Sequence, residues 1–209
     1  MKWEDVVSNV KVYGLDDAVR GAKYSFAVDL SKVSDEVTDT TRKLAKSPVG
    51  SGHDNFLNGA IVQFDLTFSN KAWVEAERYH FLDFVSSQST MHRITKFDLD
   101  SAYIEYTDPR IIAIMKEKVK DYNDLQADIK EREAEGKDTS TLRDLANEKY
   151  LGILYSNPAG FRLTAKMTTN YRQLKTIYRQ RRNHRLPEWR AFCSWIETLP
   201  YAEFITEDN

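Results

Sequence analysis

Residues 61–68 read I-V-Q-F-D-L-T-F, and this stretch is the strongest fold signal in the sequence. Apolar and more polar side chains alternate along it, with Val62, Phe64, Leu66 and Phe68 in one set and Gln63, Asp65 and Thr67 in the other. A period of two places each set on its own face of a β-strand. Because antiparallel sheets commonly pack one face and leave the other wetter, we predict a half-buried strand with an antiparallel partner.

Helical patterns lie on both sides of this strand. Upstream, an N-cap signal at 34–36 predicts a helix over 34–46. Downstream, Ser69-Asn70 can cap a helix whose apolar positions recur at helical spacing over 73–83. The Ser-rich stretch 86–90 then interrupts this helix.

The second half of the chain predicts a helical hairpin. Pro109 suits the first turn of a long helix that runs to about residue 134, and a second helix covers about 139–155. The long helix carries an apolar stripe opposite a highly charged face, and the stripe contains Ile112, Met115, Val119 and Tyr122. A lone helix cannot hide such a stripe, so we expect it to pack against the second helix or against a neighbouring subunit.

The remaining elements complete a mixed fold. A strand is predicted over 160–166, and helices over 169–182 and 187–198. With the strand at 61–68 they predict an α+β fold in which an antiparallel sheet is flanked by helices. The length of 209 residues and the hydrophobic fraction of 41% fit one domain over 1–209, with the helical hairpin at about 109–156.

The overall charge is nearly balanced, with 30 basic and 32 acidic side chains. Such a chain has no global field that favours nucleic acid or a membrane surface, so an anionic ligand needs a local cluster. The run 179–185, R-Q-R-R-N-H-R, is the strongest positive cluster. It can contact a nucleic-acid backbone, but it lacks interleaved aromatic side chains, which favours a small anionic ligand instead.

Cysteine usage and hydropathy indicate a cytoplasmic protein. Cys193 is the single cysteine and sits between Phe192 and Trp195, which predicts a small packed residue and no intrachain disulfide. No signal-peptide pattern occurs near the N-terminus, and no apolar run approaches the ~20 residues that span a bilayer. No Cys or His pairs occur at zinc-ligand spacing, so no metal site is predicted.

Two blocks of the sequence carry motifs in a recognisable order. The first contains Gly52-His53, the strand at 61–68, Ser69-Asn70, and S-S-Q-S-T-M-H-R at 86–93. The second contains Asn170-Tyr171-Arg172, a further arginine at 181 or 182, and Glu188-Trp189-Arg190. This order and spacing resemble the flavin-dependent thymidylate synthases, whose motif has the form R-H-R-x-x-S-x-N-E-x-S-x-R.

The signature residues agree less well than the order of the elements. In an ungapped alignment the R-H-R triplet becomes Phe81-Leu82-Asp83, whereas a three-residue insertion would match it to Arg78-Tyr79-His80. Ser86 and Arg93 keep the first Ser and the last Arg of the motif, while Gln88-Ser89 replace its Asn-Glu pair. The sequence is therefore expected to be a divergent member with an altered motif.

The resemblance implies roles for nine residues. The substrate-binding set comprises Arg78, Ser86, Gln88, Arg93 and Arg181, and the cofactor-binding set comprises His53, Ser89, Asn170 and Arg172. The implied reaction methylates dUMP, with methylenetetrahydrofolate as the carbon donor and NADPH reducing bound FAD. A homo-oligomer such as a tetramer is implied as well, because the family builds each site between subunits. No catalytic base is assigned.

The chemistry of these residues supports the implied roles but also allows simpler ones. Arginine offers a planar and permanently charged donor fork to phosphate, yet arginines near acids also form surface ion pairs that contribute little. His53 lies at a predicted helix N-terminus, where it can meet an electron-rich group or act only as a surface residue. Residues 86–90 suit the edge of a uracil-like base, but equally an ordinary turn.

Two further expectations follow from the motif. Arg93 and Arg181 should line the same pocket if both hold one nucleotide. Asp83 would place a like charge near a phosphate of FAD, so FAD should bind more weakly than in typical members of the family, or not at all. The alternative function is therefore a nucleotide-binding or regulatory protein that reuses the fold without flavin.

Overall fold

The computed structural model describes residues 1–207, which group into two compact units. The sheet unit contains Met1–Phe68, Ala72–Ser87 and the chain from Thr164 onward. The hairpin unit contains Ser69–Lys71 and Gln88–Leu163. The single domain expected for residues 1–209 stays a prediction.

Strands and helices alternate irregularly along the chain. The strands are β1 (Val7–Tyr13), β2 (Ile61–Ser69), β3 (Asp83–Ser87) and β4 (Arg162–Asn170). The α-helices within residues 1–207 are α1 (Leu15–Gly21), α2 (Asp39–Ala45), α3 (Asn70–Ala76), α4 (Thr90–Arg93), α5 (Pro109–Ala134), α6 (Ser140–Ser156), α7 (Tyr171–Arg181), α8 (Pro187–Ile196) and α9 (Glu203–Thr206). No helix of this described part is long and apolar enough to cross a membrane.

The four strands form one antiparallel sheet in the order β1-β2-β4-β3. β1 pairs antiparallel with β2, and β3 pairs antiparallel with β4. Each of these pairs contains one extra residue on the edge strand, between Ser8 and Lys11 in β1 and between Phe84 and Ser86 in β3. The predicted α+β fold and the antiparallel partner of the strand at 61–68 are confirmed.

The alternation in β2 decides which face of the sheet is packed. Its apolar side chains Val62, Phe64, Leu66 and Phe68 are all fully buried. Helix α8 covers this face, because the ring centroids of Phe64 and Trp195 lie 4.6 Å apart and those of Phe68 and Trp189 lie 4.9 Å apart. On the other face Thr67 and Thr164 join β2 to β4 through a 2.8 Å hydroxyl contact.

Two predicted helices have different bounds in the structure. Helix α2 begins at Asp39 and not at Ser34, because Lys23 Nζ donates hydrogen bonds to the carbonyl oxygens of Ser34 (2.9 Å) and Glu36 (2.6 Å) and holds that segment outside a helix. The helix expected over 73–83 ends at Ala76. The residues from Asp83 to Ser87 form β3 instead, because pairing with β4 outweighs the helical spacing of the sequence.

The hairpin unit buries the apolar stripe of its long helix. Asp108 caps α5 by accepting a hydrogen bond from the Arg110 amide at 2.9 Å, and Pro109 occupies the first turn. Met115 and Val119 belong to a core cluster that also contains Ile153 of α6, while Ile112 and Tyr122 pack against this cluster. The expected packing of the stripe against the second helix is therefore confirmed.

Cys193 should react with thiol reagents far more slowly in the native protein than after unfolding. The residue is buried in α8, and burial raises the pKa of its thiol to about 12. Because the thiolate is the reactive form, we expect labelling by a chromogenic disulfide reagent to be slower by roughly a hundredfold or more than in concentrated urea. Equal labelling rates in buffer and in urea would contradict the packed position of this side chain.

Candidate functional site

Arg181 is the centre of a polar network at the end of α7. Its Nε donates a 2.7 Å hydrogen bond to the Tyr79 hydroxyl, and its Nη1 donates a 2.8 Å bond to Oε2 of Glu75. Nε2 of His184 lies 2.7 Å from the same Nη1 and 3.2 Å from Glu75 Oε2. The side chain is only 12% exposed, so its guanidinium is fixed in one orientation by its neighbours.

Two aromatic rings pack against the guanidinium of Arg181. The guanidinium carbon lies 4.9 Å from the ring centroid of Trp189 and 5.4 Å from that of Tyr79. The Tyr79 hydroxyl also donates a 2.9 Å hydrogen bond to Gln180, so it accepts from one α7 side chain and donates to another. Such stacking favours a cation and keeps it rigid, which suits a residue that meets an anionic ligand.

A cavity of about 560 Å³ opens beside this network, within the sheet unit. It is lined by Arg78, Tyr79, His80, Phe81, Gln173, Thr176, Gln180 and Arg181. Among the described residues this lining contributes two arginines, one histidine, two amides and no carboxylate. Glu75 pairs with Arg181 beside this lining, so Arg78 supplies the other positive charge of the cavity. Together with the two amides, this charge suits an anionic ligand with a polar edge.

Arg78 and Arg181 differ in how far they are already engaged. Arg78 is exposed and forms no ion pair within residues 1–207, whereas Arg181 is paired with Glu75. The sequence-predicted substrate residues Arg78 and Arg181 are thus brought to one cavity by segments about a hundred residues apart. Ser86 lies on β3 of the same unit and is exposed.

The predicted cofactor residues of the sheet unit lie at the start of α7 and in the segment before β2. His53 is exposed and lines a second, mostly apolar cavity of about 570 Å³. Asn170 caps α7, because its Oδ1 accepts a 2.8 Å hydrogen bond from the Gln173 amide. The Nε of Arg172 donates a 3.1 Å hydrogen bond to Asp54 Oδ1.

A buried ion pair fixes this region, and the sequence interpretation missed it. Lys175 is fully buried and donates to the carbonyl oxygens of Ala45 (2.5 Å) and Ser47 (2.6 Å) and to Asp54 Oδ2 (3.1 Å). Asp54 is also fully buried and holds Arg172 through its other oxygen. Lys175 lies among the apolar positions of α7, and this placement is the signal that could have indicated a buried charge with an acidic partner.

The other three predicted residues, Gln88, Ser89 and Arg93, belong to the hairpin unit. Ser89 stands at the N-cap position of α4, where its carbonyl accepts the Arg93 amide at 3.1 Å. Burial raises the pKa of Tyr150, whose hydroxyl donates a 3.0 Å hydrogen bond to the carbonyl oxygen of Met91 in α4. A pocket shared by Arg93 and Arg181 stays a prediction, because the two arginines lie in different units.

Residues 1–207 contain no group of three or more His, Cys, Asp or Glu side chains that could hold a metal ion.

Solved structures with the same arrangement of elements place this geometry in a known fold. Two crystal structures of the flavin-dependent thymidylate synthase ThyX from Helicobacter pylori, both with FAD and dUMP, superpose with a TM-score of 0.63 over 95% of this chain and 97% of theirs. The chain has the ThyX fold. The sequence identity to these ThyX structures is 15%, so the similarity establishes the fold alone.

The resemblance inferred from the order of motifs is confirmed at the level of the ThyX fold. No protein-family model and no curated protein matches the sequence. The departures from the family motif at 81–93 agree with the low sequence identity.

Proposed function

We propose that the cavity beside Arg181 binds the phosphate of a pyrimidine nucleoside monophosphate such as dUMP. The observation that carries this proposal is the convergence of Arg78 and Arg181 on a cavity whose described lining contains no carboxylate. Guanidinium groups are suited to phosphate because their planar donor fork matches its oxygens. The ThyX structures with dUMP support a nucleotide as the ligand of this fold.

The proposed reaction is one-carbon transfer to the pyrimidine. Methylenetetrahydrofolate would provide the carbon, and FAD reduced by NADPH would supply the redox chemistry when bound. Under this proposal Arg78 and Arg181 hold the phosphate, and Ser86 of the same unit meets the rest of the nucleotide. Roles for Gln88 and Arg93 stay predictions from the resemblance. A homo-oligomer such as a tetramer stays a prediction from the resemblance, and a cytoplasmic location stays a prediction from cysteine usage and hydropathy.

Several side chains can hold a flavin, which makes the FAD proposal chemically reasonable. His53 is exposed beside an apolar cavity wall that contains Phe26 and Phe56. The bond from Arg172 to Asp54 uses Nε, and the side chain is 30% exposed, so its terminal nitrogens can face a ligand. We propose that His53, Arg172 and the amide nitrogen of Asn170 would hold FAD, and a role for Ser89 stays a prediction from the resemblance.

Replacing Arg78 by glutamine should weaken dUMP binding by about 10- to 150-fold, because a charge-assisted hydrogen bond contributes roughly 1.5–3 kcal/mol. Isothermal titration calorimetry at fixed ionic strength measures this change. Arg185→Gln is the matched control, since Arg185 is an exposed arginine of the basic run at 179–185 and lies outside the cavity lining. An equal loss of affinity in both variants would mean that only the general positive charge matters, which would contradict the proposed site.

A second function keeps the nucleotide site but omits the flavin. Two of the proposed cofactor residues already have partners in the protein, since Asn170 caps α7 and Arg172 binds Asp54. This observation favours a nucleotide-binding or regulatory protein. The absorbance of the purified protein and a titration with FAD separate the two functions: dUMP binding by a colourless protein that does not bind FAD supports the second.

A further inference from the structure

Phe81 adopts a backbone conformation that a bulky residue rarely occupies. Its φ angle is +67°, in the left-handed region that strongly favours glycine. The residue sits in a turn in which the Leu82 amide donates a 3.4 Å hydrogen bond to the Tyr79 carbonyl. Tyr79 and Leu82 are buried on either side, so the turn is anchored and holds the strained residue in place.

This strained turn presents a large apolar ring to solvent. Phe81 is 66% exposed, although phenylalanine side chains usually pack in the protein interior. The residue nevertheless lines the cavity that contains Arg78 and Arg181. A strained backbone and an exposed aromatic ring are both unfavourable for folding, and finding them together beside two guanidinium groups points to a role in ligand binding.

The surroundings of the ring indicate which part of a ligand it would meet. The two arginines can take a phosphate, and the amides of Gln173 and Gln180 can meet a polar edge, but the cavity has one freely exposed aromatic face among its described lining residues. An aromatic side chain on such a wall gives a planar base a stacking surface without requiring a hydrogen-bond pattern. The cavity volume of about 560 Å³ is within the range of small-ligand sites.

We propose that Phe81 stacks on the base of the nucleotide whose phosphate is held by Arg78 and Arg181. This inference rests on the proposed function, because it assumes a nucleotide in the cavity. The two arginines then provide affinity for any sugar phosphate. Phe81 selects the sugar phosphates that carry an aromatic base. Phe81 is then a specificity residue, contributed by the segment in which the R-H-R triplet of the family is altered.

The experiment compares two ligands that differ only in the base. Calorimetric titrations of the full chain use dUMP and 2-deoxyribose 5-phosphate, the latter also in competition against dUMP. Phe81→Ala should weaken dUMP binding by roughly 5- to 150-fold, the range that one base-aromatic stacking contact contributes, and should leave 2-deoxyribose 5-phosphate unchanged. Phe81→Tyr should restore dUMP affinity, because it restores the ring. Arg78→Gln should weaken both ligands by a similar factor.

The Phe81→Gly variant tests whether a loss of dUMP affinity is only a consequence of lower folding stability. Glycine relieves the left-handed backbone strain, so this variant should be at least as thermally stable as Phe81→Ala while it also loses affinity for dUMP. If both variants bind dUMP like the wild type, or lose both ligands equally, the stacking role is overturned while the phosphate site survives. If the wild-type protein binds neither ligand, the proposed function itself fails and the stacking role is overturned with it.

Discussion

Asp54→Ala should lower the free energy of unfolding by about 3–5 kcal/mol, because it leaves the charge of a buried lysine without its acidic partner. Lys175 and Asp54 are both fully buried, and the lysine also donates hydrogen bonds to the carbonyl oxygens of Ala45 and Ser47. These carbonyls stabilise the ammonium group only in part. The same substitution releases Arg172, so any flavin binding that depends on its orientation should weaken as well.

The measurement is the midpoint of urea denaturation at neutral pH, followed by circular dichroism. Asp124→Ala removes an exposed ion pair with Lys120 and should leave the midpoint nearly unchanged. A double variant, Asp54→Leu with Lys175→Met, should recover most of the lost stability, because replacing a buried pair by apolar side chains is often nearly neutral. If the Asp54→Ala variant is as stable as Asp124→Ala, water must reach Lys175.

Trp189→Ala should have a comparable effect on stability, a loss of about 3–5 kcal/mol, because it opens a cavity in the aromatic core. Trp189 is fully buried, and its ring centroid lies 4.9 Å from that of Phe68 and 5.9 Å from that of Phe192. It also lies 5.7 Å from the Tyr79 ring and 4.9 Å from the Arg181 guanidinium. The loss should therefore extend to dUMP affinity, since the support beneath Arg181 disappears.

The Trp189→Phe variant distinguishes the packing of Trp189 in the core from its contact with the Arg181 guanidinium. It keeps a ring beneath Arg181 but leaves a smaller void, so it should lose less stability and retain most of the nucleotide affinity. Denaturation midpoints and calorimetric titrations of both variants test this order. Nucleotide affinity that is unchanged in a folded Trp189→Ala protein would show that the polar partners Glu75 and Tyr79 orient Arg181 without the ring.

Elements with strong local signals could be predicted from the sequence. The alternation at 61–68 corresponds to β2, and Asp108-Pro109 marks the start of α5. β3 could not be found in this way, because all of its residues are exposed and show no alternation. Its strand character comes from hydrogen bonds to β4, which lies about eighty residues further along the chain, and a local pattern contains no information on such pairing.

The candidate site was predictable where the side chains themselves carry the chemistry. Arg78 and Arg181 could be proposed because an arginine is a permanent cation whatever surrounds it. Asp54 and Lys175 could not, since an aspartate and a lysine are ordinary surface residues until the fold buries them together across 121 positions. Phe81 was noted only as a departure from a motif, because its left-handed backbone is a property of the folded turn.

The irregular pairing of the two edge strands has a consequence for self-association. An open sheet edge offers a row of amide and carbonyl groups on which a second copy of the chain can add a strand, the first step towards an aggregate. β1 and β3 each carry one extra residue, beside Asn9 with its φ of +51° in β1 and at Val85 in β3. Each bulge breaks the regular spacing that an incoming strand must match. We therefore expect the two irregularities to disfavour the addition of further strands to the edge strands β1 and β3.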